Sequence, residues 1–275
     1  MIWLKMSKIE ISEYGNLLMY SRGYSADFVK KTIRENQLNG LRIFDAWNRL
    51  ESLEFLREFT FLEWLEITCS FDQDYDFLHY LPQLKHLSIG PSATMKNEID
   101  ISSQTNLEYL SLQWRKGKIR GIERCQRISD LCLVEYNEED LSQIAALMKL
   151  SNLKIKTASF ETLHGLENLT ELNSVLLGYC KKLTSIRALN SKMKLKSLEI
   201  ELCRQIKDYE HLTDLPSLEY LRLTDCNGIK SIGFVKNFPS LERIALLGNT
   251  NVLDGNIKPA KQIKEHFYSP RRHYH

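Results

Sequence analysis

The sequence predicts an α/β repeat fold, in which a short strand followed by a return arm recurs about ten times. The cassette L-x-x-L-x-L returns at steps of 21 to 24 residues, a spacing typical of repeat architectures. Its apolar residues switch from a period of two to a period of three, and Pro82, Pro216 and Pro239 share one register. The ten cassettes begin at Leu38, Leu62, Leu84, Leu107, Ile128, Leu150, Leu172, Leu195, Leu218 and Leu241.

Each repeat divides into a predicted strand and a predicted return arm. With the first cassette residue as position 1, positions 1, 4 and 6 are apolar in every copy, as in Leu218, Leu221 and Leu223. The alternation at positions 4 and 6 favours a strand. After position 9 the apolar residues recur at every third residue, which favours a 3₁₀ or short α-helical return arm. A proline two residues before position 1 then ends the arm, because it lacks an N–H group.

The two ends of the chain depart from the repeat. Residues 1–37 are predicted to form an N-terminal cap, with a short strand in KIEISEY and a helix that begins after Ser25 as its N-cap. The repeats span residues 38–257. Residues 258–275 are predicted to form a basic tail, with five basic residues and one acidic residue. A solubilising, partly disordered tail is the first interpretation, and a docking arm for nucleic acid or an acidic partner is the alternative.

Composition narrows the class of protein. Hydrophobic residues make up 43% and charged residues 26% of the 275 residues, so the chain can bury a core. The net charge of +2 lacks the strongly basic character of nucleic-acid-binding domains, which disfavours a nucleic acid as the partner. No run of eighteen apolar residues exists, and the first residues lack the apolar core of a secretory signal. We therefore expect no membrane association and a cytoplasmic location.

These repeats resemble the leucine-rich repeat superfamily, specifically its short class of about 22 to 23 residues that was first described in a regulator of protein phosphatase. The resemblance covers residues 38–257. It implies a right-handed, curved solenoid, shaped like a horseshoe, with a parallel sheet on the concave face and 3₁₀ or short helical return arms on the convex face. Each repeat touches only its neighbours, so both ends of the solenoid need caps.

Cysteine takes the place of a family asparagine in several repeats. In the family, position 9 is usually Asn, whose side chain bonds the backbone of the turn after each strand. Here three consecutive copies carry Cys180, Cys203 and Cys226, and only Asn249 keeps the family residue. We predict that these thiols are structural, since a thiol tolerates burial and donates a weak hydrogen bond. A disulfide between neighbouring positions about 5 Å apart is within reach but is disfavoured in a cytosolic chain, and thiols stacked one per strand do not converge on a metal.

Two other copies of position 9 carry large side chains, Arg115 and Tyr136. Both side chains exceed the space that an Asn occupies. Irregular turns are therefore predicted in repeats four and five.

Common signatures of catalysis are missing from the sequence. It contains no G-x-x-x-x-G-K-[ST], G-x-S-x-G or H-E-x-x-H motif, so no enzyme activity, catalytic residue or cofactor is expected. The stretch from Phe71 to Asp76 begins like a calcium loop, but Phe77 and Gln83 stand where that loop needs Gly and Glu. A solvated acidic turn is favoured there, and no metal site is predicted.

Side chains at positions 3, 5 and 7 alternate with the buried leucines and are therefore expected to line the concave face, joined by position 8 at the strand end. Repeats one to four make this face aromatic, and repeats five to nine make it charged. Exposed Trp, Tyr and Arg in one stripe have the composition of protein-binding hot spots. The alternative is that strands favour aromatic residues anyway and that the charges are merely solvated. The predicted partner-binding residues are Arg42, Phe44, Trp64, Glu66, His86, Tyr109, Gln113, Trp114, Asp130, Lys154, Lys156, Tyr179, Glu199, Glu201, Tyr220 and Arg222.

The sequence therefore predicts a non-catalytic protein-interaction module that binds a partner protein in its concave face. A regulatory adaptor is one such role. A specific inhibitor, such as an immunity protein that occludes a toxin or an enzyme, is the alternative, and it rests on architecture and resemblance alone. A nucleic-acid-associated adaptor that uses the basic tail with Lys154 and Lys156 is a further, less favoured alternative.

Overall fold

The computed structural model describes residues 8–12, 15–20, 23–44, 52–69, 72–90 and 96–275. The chain divides into two compact units, Met1–Ile128 and Ser129–His275. In both units parallel strands alternate with short return arms, so the predicted α/β repeat fold is confirmed.

The described part of the first unit contains a sheet with the strand order β1, β2, β3, β4, β5, β7. β1 pairs antiparallel with β2, and each later pair is parallel. The strands are β1 (Lys8–Ser12), β2 (Gly15–Met19), β3 (Gly40–Phe44), β4 (Trp64–Thr68), β5 (His86–Ile89) and β7 (Tyr109–Gln113), with β6 (Ile99–Asp100) and β8 (Ile119–Arg120) paired separately. The helices are α1 (Ala26–Glu35) and three 3₁₀ helices, Glu54–Glu58, Asp76–Tyr80 and Ile122–Arg124.

The N-terminal segment adds two strands to the sheet of the first unit. β2 pairs in parallel with β3, with Leu17 opposite Gly40, and β1 then folds back against β2. Helix α1 follows Ser25, whose hydroxyl oxygen accepts a 3.1 Å hydrogen bond from the N–H of Phe28 and so satisfies one free donor of the first turn. Strand β2 was not predicted from the sequence, because no L-x-x-L-x-L cassette marks it.

The second unit contains seven parallel strands in the order β9, β10, β11, β12, β13, β15, β17. These strands are β9 (Asp130–Tyr136), β10 (Asn152–Ala158), β11 (Ser174–Cys180), β12 (Ser197–Glu201), β13 (Tyr220–Thr224), β15 (Arg243–Leu247) and β17 (Glu265–Tyr268), with β14 (Gly228–Ile229) and β16 (Asn251–Val252) paired separately. Its helices are α2 (Lys258–Lys261) and four 3₁₀ helices, Ser142–Ile144, Arg187–Leu189, Tyr209–His211 and Gly233–Asn237.

All ten predicted cassettes contain a strand that begins at position 3. The residues at positions 1, 4 and 6 form the core, and Leu218, Leu221 and Leu223 have no solvent exposure. Most return arms are 3₁₀ helices, as predicted. No helix among the described residues is long and apolar enough to cross a membrane.

The cysteines at position 9 join successive repeats by hydrogen bonds. The thiol of Cys203 donates to the carbonyl of Leu177 at 3.4 Å and that of Cys226 to the carbonyl of Ile200 at 3.3 Å. The N–H of Cys180 in turn donates to the sulfur of Cys203 at 3.3 Å. All three residues are fully buried and their thiols are free, so the predicted structural role is confirmed.

Two predictions for position 9 are wrong. Tyr136 does not disturb its turn: β9 continues to this residue, which is fully buried and whose hydroxyl donates to the carbonyl of Asp140 at 2.9 Å. Its neighbour in the same column is the small Ala158, which leaves room for the phenol. In the last repeat, Thr250 replaces the exposed Asn249, since the Thr250 hydroxyl donates to a strand carbonyl and accepts from the N–H of Cys226.

In the six predicted repeats whose strands lie in the second unit, the residue at position 8 has a positive φ, which is the left-handed conformation. A positive φ costs an L-residue about 1 to 2 kcal/mol, and only one of the six is glycine. Each of these repeats therefore turns at the same point, although the left-handed conformation is strained for the five residues that are not glycine. The residues are Glu135 (φ 56°), Thr157 (60°), Tyr179 (54°), Leu202 (55°), Asp225 (53°) and Gly248 (61°).

Residues 258–275 fold onto the last repeat instead of forming the partly disordered tail that was expected. β17 pairs in parallel with β15, with Glu265 opposite Arg243. After β17, the N–H of Ser269 donates to Leu246 and the N–H of His275 donates to Gly255, both at 2.9 Å. The cassette search missed β17 because polar and aromatic residues replace leucine at positions 4 and 6 of this outermost strand.

The acidic stretch that begins like a calcium loop serves as a turn between repeats. The side chain of Asp72 accepts hydrogen bonds from the N–H groups of Lys96 and Asn97 at 2.8 and 3.1 Å. The side chain of Asp74 accepts one from the N–H of Asp76 at 2.9 Å. Phe71, the first residue of the stretch, lies outside the described residues.

Candidate functional site

We call the surface formed by positions 3, 5 and 7 the strand face. It lies opposite the buried leucines of positions 4 and 6. Because neighbouring strands pair in register, equivalent positions form columns within each unit, such as Trp64, His86 and Tyr109 at position 3 of the first unit. The two units are described separately.

Three aromatic rings stack along position 3 of the first unit. The centroids of Trp64 and His86 are 3.8 Å apart with planes at 16°, and those of His86 and Tyr109 are 4.0 Å apart with planes at 3°. The predicted aromatic character of this part of the face is therefore present. The rings contact each other, however, so the faces of His86 are not available to a partner.

Trp64 is buried, although the sequence analysis expected it to be exposed. Only 8% of its surface reaches solvent. A Cβ at Gly15 would lie 2.6 Å from Trp64 Cε3, and a Cβ at Gly40 would lie 2.8 Å from Trp64 Cβ and 2.2 Å from Leu17 Cδ2. The start of β2 thus lies against the indole, and the two glycines give the side chain space.

The Glu66 carboxylate, close to the stacked rings, accepts two side-chain hydrogen bonds. Glu66 accepts hydrogen bonds from the indole N–H of Trp64 at 2.8 Å and from Nε of Arg42 at 2.6 Å, and Arg42 also pairs with Glu10. Burial raises the pKa of Glu66, but the hydrogen bonds from Arg42 and Trp64 outweigh it and leave the pKa below its usual value. Arg42 and Glu66 are therefore engaged inside the protein.

His86 is neutral at physiological pH. Burial in the stack lowers its pKa to about 4, although the Glu66 carboxylate acts in the opposite direction. Its Nε2 lies 3.7 Å from Glu66 Oε1, which is too far for a hydrogen bond.

The remaining predicted residues of the first unit differ in exposure. Phe44 is 45% exposed, as expected for a binding residue, and Tyr109 is half-buried. Gln113 and Trp114 are buried, which corrects the prediction that they face a partner. Trp114 enters the core at position 8, while Arg115 stays half-buried and donates to the Trp114 carbonyl at 3.0 Å.

The predicted acidic block of the second unit is bridged by an arginine. Arg222 Nη2 lies 2.7 Å from Glu199 Oε2 and 4.0 Å from Glu201 Oε2. Asp130 is also engaged, since it accepts hydrogen bonds from the hydroxyl of Ser129 at 2.6 Å and the amide of Asn152 at 2.8 Å. These carboxylates therefore have partners within the protein.

Tyr220 belongs to a cluster that the sequence analysis missed. The guanidinium carbon of Arg243 lies 5.7 Å from the Tyr220 ring centroid, and Arg243 Nε lies 2.6 Å from Glu265 Oε2. Phe267, at position 5 of β17, is 53% exposed on the same face. One further step of 22 residues beyond Leu241 places position 1 of another repeat at Ile263. The repeat spacing alone could therefore have predicted strand β17.

Lys154, Lys156 and Tyr179 are exposed, as predicted. Within the part of the chain that the structure describes, neither lysine ammonium forms an ion pair. Tyr179 is 44% exposed at the end of β11, and Lys181 Nζ lies 4.7 Å from its ring centroid. These residues form an exposed charged and aromatic surface of the second unit.

The fold defines the class of the molecule: the chain has the leucine-rich repeat fold. No family model matches it, and no curated protein matches it. The structure is similar to that of the internalin InlF from Listeria monocytogenes, with a TM-score of 0.67 and 20% identity, over 85% of this chain and 68% of that chain.

Two other solved structures show weaker similarity. Internalin C2 from Listeria monocytogenes has a TM-score of 0.48 and 17% identity, over 78% of this chain and 82% of that chain. A leucine-rich repeat protein from Leptospira interrogans has a TM-score of 0.48 and 16% identity, over 84% of this chain and 78% of that chain.

Proposed function

We propose that the chain is a non-catalytic module that binds another protein through the strand face. The observation that carries this proposal is the exposure of Phe267, Lys154 and Lys156 on the strand face and of Tyr179 at the end of β11. Among the described residues neither lysine forms an ion pair, whereas Glu199 pairs with Arg222 and Glu265 pairs with Arg243 on the same face. Tyrosine and other large aromatic side chains contribute most strongly to protein interfaces when they reach solvent on a preformed surface.

The strand face of the second unit is ordered before any partner binds. Arg222 is fixed by Glu199, and Arg243 is fixed by Glu265 and lies against Tyr220. Binding to such a surface immobilises few additional side chains, so little conformational entropy is lost.

Site-specific photocrosslinking tests the location of the binding surface. A photoreactive phenylalanine derivative replaces Leu176, at position 5 of the strand face, or Leu253, which is 57% exposed in the turn after β16. We expect a crosslinked partner protein from the Leu176 site and none from the Leu253 site in extracts of the native cells. Crosslinks from the Leu253 site alone, or equal yields from both sites, would overturn the proposal.

We further propose that the protein works in a reducing compartment, the cytoplasm. All six cysteines are free, and the ladder thiols of Cys203 and Cys226 are hydrogen-bond donors, a role that a disulfide would abolish. Alkylation of denatured protein taken from native cells without a reductant is expected to label six thiols. Fewer labelled thiols, restored by reduction, would contradict this location.

A further inference from the structure

We propose that Lys154, Lys156 and Tyr179 anchor an acidic, extended segment of the partner polypeptide. We call these three residues the lysine–tyrosine patch. This inference rests on the proposed function and adds the chemistry of the partner to it.

The patch combines two exposed residues of the strand face with the exposed position 8 residue of the neighbouring strand. Lys154 and Lys156 occupy positions 5 and 7 of β10, and their partners on β11 are Leu176 and Gly178. Gly178 has no side chain that could contact Lys156, and both lysine side chains are exposed. Tyr179 follows directly, at the end of the same strand.

In the part of the second unit that the structure describes, the patch contains the cations of the strand face that form no ion pair. Among the described residues of the second unit, Glu199 and Glu201 share Arg222, and Glu265 pairs with Arg243. Lys154 and Lys156 have no such partner there. Two cations held side by side repel each other, and a carboxylate from a partner relieves that repulsion.

The spacing of the lysines matches an extended acidic peptide. Residues two apart on a strand are about 6.6 to 6.8 Å apart, and carboxylates at alternate positions of an extended peptide have the same separation. The side chain between them is then free to contact the exposed ring of Tyr179. An apolar or aromatic residue near the acidic pair suits that ring.

An extended acidic polypeptide fits this surface better than a nucleic acid. Glu199 and Glu201 lie two strands away from Lys154 and Lys156, at about 10 Å, and only one arginine bridges them. A phosphate backbone that continued across the sheet would meet these carboxylates. A short acidic peptide that runs along β10 does not reach them.

Fluorescence anisotropy with a defined probe tests the proposal. The probe is a labelled peptide of about ten residues with glutamate at alternate positions and one tyrosine, and the comparison peptide has glutamine in place of glutamate. We expect the wild-type protein to bind the glutamate peptide and not the glutamine peptide. We expect the Kd of the Lys154→Gln/Lys156→Gln variant for the glutamate peptide to rise by about tenfold.

Lys194→Gln/Lys196→Gln is the matched control, because both lysines are exposed, are likewise two residues apart and pair with Glu171 and Glu219 off the strand face. This variant is expected to bind the glutamate peptide as the wild type does. Equal losses in the two variants, or no binding of the glutamate peptide by the wild type, would overturn the proposal. Tighter binding of a single-stranded oligonucleotide that is lost in Lys154→Gln/Lys156→Gln would overturn it in favour of a nucleic acid.

The same variant separates this inference from the proposed function. If the crosslink from the Leu176 site persists at full yield in Lys154→Gln/Lys156→Gln, the strand face binds a protein but the patch is not its anchor. If the Leu176 site gives no crosslink in the wild type, the proposed function itself fails.

Discussion

The imidazole of His86 lies face to face with the phenol ring of Tyr109, with 4.0 Å between the ring centroids and 3° between the planes. Trp64 covers the opposite face of the imidazole. The ring is thereby shielded from water on both sides, which makes its protonation unfavourable. This arrangement links the strand face of the first unit to the pH dependence of folding.

Acid is expected to destabilise the protein through His86. Its pKa is about 4 in the folded state and 6.5 when unperturbed, so between these values the unfolded chain binds the proton and the folded protein does not. Stability therefore falls as the pH drops through this window. Between about pH 7 and about pH 5, the free energy of unfolding should fall by about 2 kcal/mol more for the wild type than for His86→Phe. Urea titrations at both values measure this, and an equal loss would refute it.

Replacement of Trp64 by alanine is expected to destabilise the fold. The indole is buried next to Gly15 of β2 and donates to Glu66, so its loss creates a cavity and removes a hydrogen bond. We expect a decrease of about 3 kcal/mol in the free energy of unfolding. Phe44→Ala is the control, because Phe44 is 45% exposed, and its cost should stay below about 1 kcal/mol. Similar costs for both variants would show that Trp64 is not buried in the folded protein.

Cys203→Ala is expected to weaken the stacking of the repeats. The Cys203 sulfur donates to Leu177 and accepts from the N–H of Cys180, so alanine removes both bonds and leaves the buried Cys180 N–H without this acceptor. Denaturant titration should show a loss of about 2 kcal/mol. Cys132→Ala removes a half-buried thiol outside this ladder and should change stability by less than about 0.5 kcal/mol. Wild-type stability of Cys203→Ala would contradict the role of the thiol.

Thr157→Asn is expected to stabilise the second unit. Thr157 has a φ of 60°, which is unfavourable for a β-branched residue and less so for Asn. Urea titration should show an increase of up to about 1 kcal/mol in the free energy of unfolding. Thr170→Asn, at an exposed turn residue outside the left-handed region, should have almost no effect. An equal gain in both variants would point to a general preference for Asn.

The sequence allowed the prediction of the ten cassette strands because burial at positions 4 and 6 demands apolar residues in every copy. Strand β17 escaped detection because it is the outermost strand, where its position 4 and position 6 residues, His266 and Tyr268, are exposed and half-buried, respectively, and need not be leucine. The direction of the side chains on the strand face could be predicted from the alternation along each strand. The burial of Trp64 could not be predicted, because its contact with Gly15 joins residues from separate parts of the chain.

At the left-handed turn of position 8, the path of the backbone is the same whichever side chain is present. Glu135, Leu202 and Asp225 differ in charge and size but adopt nearly the same φ. The geometry is therefore imposed by the stacked neighbours and not by the local residue. Equivalent turn residues recur about every 4.8 Å, one per strand. Side chains of different charge and size are thus carried in one row on the same backbone path.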